Sequence, residues 1–215
     1  MPTSDRSIGL CKVLTGFTGS LSVTVGGTTV AITPEEPTSA VELAFRVDQV
    51  LAALGAGPYG LQISTAGVFT WSAVSSFTLA ASGVILTRLN LAASASGTVV
   101  SSLGAHQDGF FPGNGMIVRS PFLSTTRPNS IADGSNAPTV RPTPTKTEIL
   151  VQADLSDLWT LEDDFSADQL FDYHSGSSFQ GRIRVVAVRR VRDGKLHTQA
   201  FLRLEAQAVL DRGPF

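Results

Sequence analysis

Leu21-Ser22-Val23-Thr24-Val25-Gly26-Gly27-Thr28-Thr29-Val30-Ala31-Ile32 is the stretch on which the reading of this chain turns. Apolar residues alternate with small polar ones on either side of a Gly-Gly pair. Glycine alone enters without strain the positive-φ positions of a two-residue primed turn. A turn at Gly26-Gly27 sets Val25 opposite Thr28, Val23 opposite Val30 and Leu21 opposite Ile32, so the apolar side chains share one face. Such a face needs a covering layer.

The next residues supply it. Pro34 and Pro37 stop the strand, and Ser39 with Glu42 three residues on is a capping-box pattern. Ala40, Leu43, Ala44, Val47, Val50, Leu51 and Leu54 then recur at helical spacing up to Gly55, which predicts one amphipathic helix of about four turns. Leu61–Ile63 and Val68–Trp71 flank a turn at Gly67, and Ser76–Leu79 and Val84–Leu89 read as further short strands. Residues 1–103 are therefore expected to form a β-β-α-β-β-β sheet with one packed helix, and the chain as a whole to be α+β and mostly β.

Beyond this point the composition changes. Residues 1–100 hold four basic residues (Arg6, Lys12, Arg46, Arg88) and five acidic ones, whereas the remaining 115 hold twelve and thirteen. Residues 104–147 contain six of the eleven prolines together with Phe110, Phe111, Met116, Ile117, Val118, Phe122, Leu123 and Ile131. That stretch reads as an extended Pro/Gly-rich arm whose apolar residues seek burial, here expected on a neighbouring subunit. Residues 148–215 read as an antiparallel β domain with a long hairpin over 182–210. An Asp193-Gly194 turn would set Val191 opposite Leu196, Ala187 opposite Ala200, Val185 opposite Leu202 and Ile183 opposite Leu204. The other face would then carry Arg182 with Glu205, Arg184 with Arg203, Arg190 with His197, Arg192 with Lys195 and an apolar pair, Val186 with Phe201; Arg189 adds to the basic character. From Glu148 to Asp172 there are eight acidic residues and no basic one, with Glu162, Asp163 and Asp164 consecutive. The acidic segment and the Arg-rich hairpin are complementary, within one subunit or across a subunit boundary.

Bulk properties narrow the function classes. The formal net charge is −2 and the pI about 5.9, which gives no global pull toward a polyanion, so nucleic acid is not expected as a specific ligand. Cys11 is the single cysteine, so one chain builds neither a disulfide nor a cysteine-based metal site. The first twenty residues lack the apolar core of a signal peptide, and no stretch reaches the roughly 18 apolar residues of a membrane span. His106, His174 and His197 have no second ligand at metal-binding spacing, Asp172 with His174 being the nearest approach. No Gly-x-Ser-x-Gly elbow, phosphate loop or Asp-rich calcium loop is present. Carboxylates in the 162–172 segment leave a glycoside-hydrolase reading open in principle. Trp71, Phe69 and Phe77 read either as core or as a sugar-stacking platform, with Trp159 a second aromatic for the same role. No cofactor, metal or catalytic residue is expected, and the chain is read as not an enzyme.

The stretch from Leu21 to about Gly104 resembles a module of tailed-bacteriophage virion proteins: a hairpin, a helix ending Val50-Leu51-Ala52-Ala53-Leu54, a strand such as Val68-Phe69-Thr70-Trp71, a Phe77-Thr78-Leu79 strand and a closing Leu103-Gly104. What this resemblance implies is a tail, neck or baseplate component present in many copies, made in the host cytoplasm and resident in the virion. The function expected is a structural subunit forming a homo-oligomeric ring or tube with other virion proteins. Its assembly surfaces would be the hairpin (Arg182, Arg184, Arg189, Arg190, Arg192, Phe201, Arg203), the acidic segment (Glu162, Asp163, Asp164) and the arm (Phe110, Phe111, Phe122). The alternative is a β-rich carbohydrate-binding or adhesin module with an exposed aromatic platform.

Overall fold

In the computed structural model, which describes residues 9–111, 117–123, 146–154, 168–175, 178–191 and 199–208, the chain opens with strand β1 (Gly9–Lys12) and then makes the expected hairpin of β2 (Leu21–Val25) and β3 (Thr28–Ala31). Val25 faces Thr28 and Val23 faces Val30, and the Ile32 amide donates to the Leu21 carbonyl at 2.8 Å. Gly26 and Gly27 take φ of 57° and 84°, as the primed turn requires. Helix α1 (Ala40–Ala53) starts at Ser39, whose hydroxyl accepts from the Glu42 amide at 3.0 Å.

Strands β4 (Tyr59–Ile63), β5 (Phe69–Ala81) and β6 (Ser94–Ser101) complete a five-stranded antiparallel sheet with β2 and β3. The two strands expected at 68–71 and 76–79 are one long strand, β5. β6 pairs with both of its halves, while β4 pairs with Phe69–Ala73 and β2 with Phe77–Ala81. Between Ser72 and Phe77 the register with β6 shifts, a bulge that bends β5 where its partner changes from β4 to β2. The inner face holds Val23, Leu61, Phe69, Trp71, Phe77 and Leu79, and α1 closes over it with Leu43, Ala44, Val47 and Leu51. Trp71 is fully buried, and its indole N–H donates to the Ala44 carbonyl at 3.0 Å.

Residues Val84–Leu89, expected as a strand, form instead a helix, α2 (Gly83–Leu89). Its buried residues Ile85 and Leu89 lie four apart, and Asn90 ends it in the left-handed region at φ 53°. The following strand, β6, lacked a strong sequence signal because its residues are mostly small and polar.

A second, seven-stranded sheet has the order β7-β1-β10-β11-β12-β9-β8, with β7 (Gly109–Phe110), β8 (Ile117–Leu123), β9 (Lys146–Asp154), β10 (Leu170–Ser175), β11 (Ser178–Val191) and β12 (Gln199–Ala208). It corrects two expectations. The stretch 104–147 is not an extended arm throughout: β7, β8 and the start of β9 fall inside it and pair within the chain, and its other residues, 112–116 and 124–145, lie outside the described ones. The β11–β12 register also differs. Val191 faces Phe201 and Ile183 faces Ala208, a register other than the one that an Asp193-Gly194 turn would set; that segment lies outside the described residues. Arg184 consequently faces Gln207, Arg190 faces Leu202 and Arg203 faces Arg189, while Arg182 faces Asp172 of β10.

The two sheets are interleaved in sequence. β1 comes from the N-terminal stretch and pairs with β10, Cys11 facing Asp172. Helix α1 packs on β2, β4 and β5 and also on β10 and β11, so it is shared between the sheets.

Candidate functional site

A buried charge cluster lies where α1 meets β10 and β11. Ser39 precedes the helix, and Glu42 sits in its first turn, where the helix dipole favours a carboxylate. Asp172 and Arg182 are cross-strand neighbours on β10 and β11. All four residues are buried, Glu42 and Asp172 completely.

The guanidinium of Arg182 is engaged through all three of its nitrogens. Its Nε donates to Asp172 Oδ1 at 2.7 Å and its Nη2 to Asp172 Oδ2 at 3.0 Å, while Nη2 also reaches Glu42 Oε2 at 2.7 Å and Nη1 the Pro37 carbonyl at 3.1 Å. Burial works against the charge of Arg182, but the hydrogen bonds and charges of Asp172 and Glu42 outweigh it and hold its pKa above the ordinary value. Ser39 serves both ends: its hydroxyl caps the helix and donates to Asp172 Oδ2 at 2.6 Å. Glu42 further accepts from the Thr38 hydroxyl at 3.0 Å and from Arg46 at 3.1 Å, and Arg46 reaches Glu35 at 3.0 Å. Two carboxylates and two guanidinium groups thus neutralise one another, as buried charges must.

Beside this cluster, Cys11 Sγ lies 3.7 Å from His106 Nδ1. A nucleophilic Cys–His pair needs a lowered thiol pKa and a protonated imidazole. Both groups are shifted the other way: burial pushes the Cys11 thiol up to about 12 and the His106 imidazole down to about 3. His106 stacks on Phe69 with ring centres 4.7 Å apart and meets Phe111 edge-on with ring centres 4.6 Å apart. The pair is a neutral packing contact. Gly67 makes room for it, since a Cβ there would run into the Phe111 ring and its φ is +76°. Asp172 and His174 do not act together on a ligand: Asp172 is taken up by Arg182 and Ser39, and the His174 ring lies over Gly9, its cross-strand partner.

The expected assembly residues fall into three groups. Arg182 and Phe111 turn inward, the first into the charge cluster and the second against His106, so neither is an exposed assembly group. Arg184 is exposed on β11, and Phe110 is half-buried, with the Lys12 ammonium 5.8 Å from its ring and Phe171 at 6.1 Å. Arg189 and Arg190 are on β11, Phe201 and Arg203 on β12 and Phe122 on β8, while Arg192, Glu162, Asp163 and Asp164 lie outside the described residues. Trp71, Phe69 and Phe77 are core residues at 0 to 1% exposure, which closes the sugar-stacking platform at Trp71; Trp159 lies outside the described residues. Reading the sequence found Ser39 and Glu42 as a helix cap but missed their bonds to Asp172 and Arg182, which lie 133 and 140 residues away. No helix among the described residues is long and apolar enough to cross a membrane.

A scan of family models matched none to this sequence, and neither the search of curated proteins nor that of solved structures found a similar chain.

Proposed function

We propose that the chain is a structural subunit of a phage-type virion tail, as tube, adaptor, neck or baseplate ring, assembling in several copies and with other virion proteins rather than catalysing a reaction. One observation carries the self-assembly reading. In the seven-stranded sheet Arg203 stands directly opposite Arg189, and Glu205 directly opposite Glu148. Like charges placed directly opposite one another on neighbouring strands are unfavourable. The two pairs lie two residues apart along β12, on one face of the strand, and such adjacent blocks of opposite sign are a pattern that a neighbouring subunit with the complementary blocks would meet, which fixes register and partner choice. The resemblance of residues 21–104 to tail proteins gives the assembly its class. The exposed aromatic platform that a recognition module would need is absent at Trp71, which disfavours the alternative.

The test is the mass in solution by light scattering at low and at high salt, for the native chain and for Arg189→Gln/Arg203→Gln. The native protein is expected as a multimer whose mass falls as salt screens the charges, and the double variant as a folded species of lower mass that no longer responds to salt. A native chain that stays monomeric at every concentration and salt would sink the self-assembly reading.

A further inference from the structure

The outer face of the five-stranded sheet is a second association surface. No residue of β2, β3, β4, β5 or β6 is charged. On the side away from α1, the register aligns Thr29, Thr24, Thr78 and Ser96 in one row across four strands. Their hydroxyls bond to one another, Thr24 to Thr29 at 2.8 Å and Thr78 to Ser96 at 2.7 Å, and Thr70 does the same with Ser101 at 3.0 Å. Ser72 donates to the Gly60 carbonyl at 3.3 Å. Beside it stand Val99, its cross-strand partner, and Val74, exposed at 59% and 63% and so two of the most exposed large apolar residues described.

This face lacks what usually keeps a sheet surface in water. Protein surfaces in water usually carry charged side chains at about a quarter to a third of their positions, and these strands carry none. Hydroxyls already paired within the face lose less when covered, because each pair leaves one donor, and not two, to be satisfied across the contact. A charged partner surface would give up hydration here and gain no counter-charge, so the matching surface is itself neutral. The charge-free sheet face described on this molecule is this one, and a second copy presents it again. We infer that two copies of the chain pack these faces together about a two-fold axis, sheet on sheet, with Val74 and Val99 in the contact.

The size fits. A strand of β5's 13 residues at about 3.3 Å each, flanked by neighbours about 4.8 Å apart, gives a face on the order of 600 Å² in projection. Side-chain relief raises the accessible area toward the roughly 800 Å² per partner of a standard interface. The inference concerns a surface other than the arginine-bearing strands and holds whether or not those assemble. Salt separates the two, since a neutral contact persists at about 1 M salt while a charge-paired one weakens.

The experiment is sedimentation equilibrium of the full chain at about 1 M salt, where screening removes the charge-paired contacts. The native chain is expected as a dimer, and Val74→Asp and Val99→Asp each to weaken it roughly a hundredfold by setting like charges into the contact. Circular dichroism checks that each variant keeps the native sheet; should one fail, Ser72→Arg, at an exposed site of the same face, replaces it. Val99→Cys joined by a short bis-maleimide gives a second readout, because the native Cys11 is buried and does not compete. A monomer at high salt, or a dimer that tolerates both aspartates, would overturn the inference.

Discussion

Arg182 shows how much of this molecule hangs on single side chains far apart in sequence. It bonds to Asp172, Glu42 and the Pro37 carbonyl, and its removal would leave Asp172 buried without a counter-ion and Glu42 with Arg46 alone. Arg182→Leu is expected to lower stability by about 3–5 kcal/mol in urea denaturation, whereas Arg182→Leu combined with Glu42→Gln and Asp172→Asn recovers part of that loss. His106 sets the acid limb. Its imidazole is held down to about 3 by burial against an ordinary 6.5, so below that value the unfolded chain takes up a proton that the folded chain refuses. The contribution of neutral His106 is therefore full above about pH 6.5 and is lost as pH falls toward 3, with a slope of up to about 1.4 kcal/mol per pH unit. His106→Phe should flatten that limb, and an unchanged slope would show that other groups set it. Cys11 acts at the other end: its raised pKa costs stability as pH rises above its ordinary 9.0.

Among the elements, α1 was legible and α2 was not, for one reason each. α1 announces itself through Ser39, Glu42 and a long apolar stripe, and all of these signals agree. α2 has seven residues and a β-branched pair, Val84-Ile85, so its local pattern fits a strand as well as a helix. Only its two buried residues, Ile85 and Leu89, and the Asn90 side-chain Nδ2 donating to the Ala105 carbonyl at 3.0 Å decide for the helix. Ser39 belongs to two structures at once, the cap of α1 and the charge cluster. Ser39→Ala is thus expected to cost more than the roughly 1 kcal/mol of an ordinary cap, about 2–3 kcal/mol, since Asp172 loses a donor too. Ser39→Thr should restore most of it, and a loss no larger than an ordinary cap's would mean that the bond to Asp172 contributes nothing net.

At the scale of the whole molecule, β1 and α1 tie the first hundred residues to the last fifty. Cys11 faces Asp172 across β1 and β10, and Glu42 of α1 is bonded to Arg182 of β11. A fragment of residues 1–103 is therefore expected to fold poorly, with the intact chain unfolding as one cooperative unit in denaturant. Two separated transitions by fluorescence and circular dichroism would instead mean that the stretches are stable apart.

The sequence by itself determined the elements whose signals are local and concordant: the Gly26-Gly27 hairpin with its register, the span and cap of α1, the turn at Gly67 and the predominance of β-structure. Each depends on residues within a few positions of one another, so backbone sterics and a single apolar face settle it. What only the tertiary structure decided was long-range. That includes the strand registers of the seven-stranded sheet, in which Arg189 faces Arg203 and Arg182 faces Asp172. The joining of β5 across its bulge and the gathering of Ser39, Glu42, Asp172 and Arg182 into one neutral cluster likewise depend on where distant strands come to rest. A sequence shows the charges, but only the fold shows which of them are buried together, because the cost of burying a charge is met by whichever opposite charge the packing brings beside it.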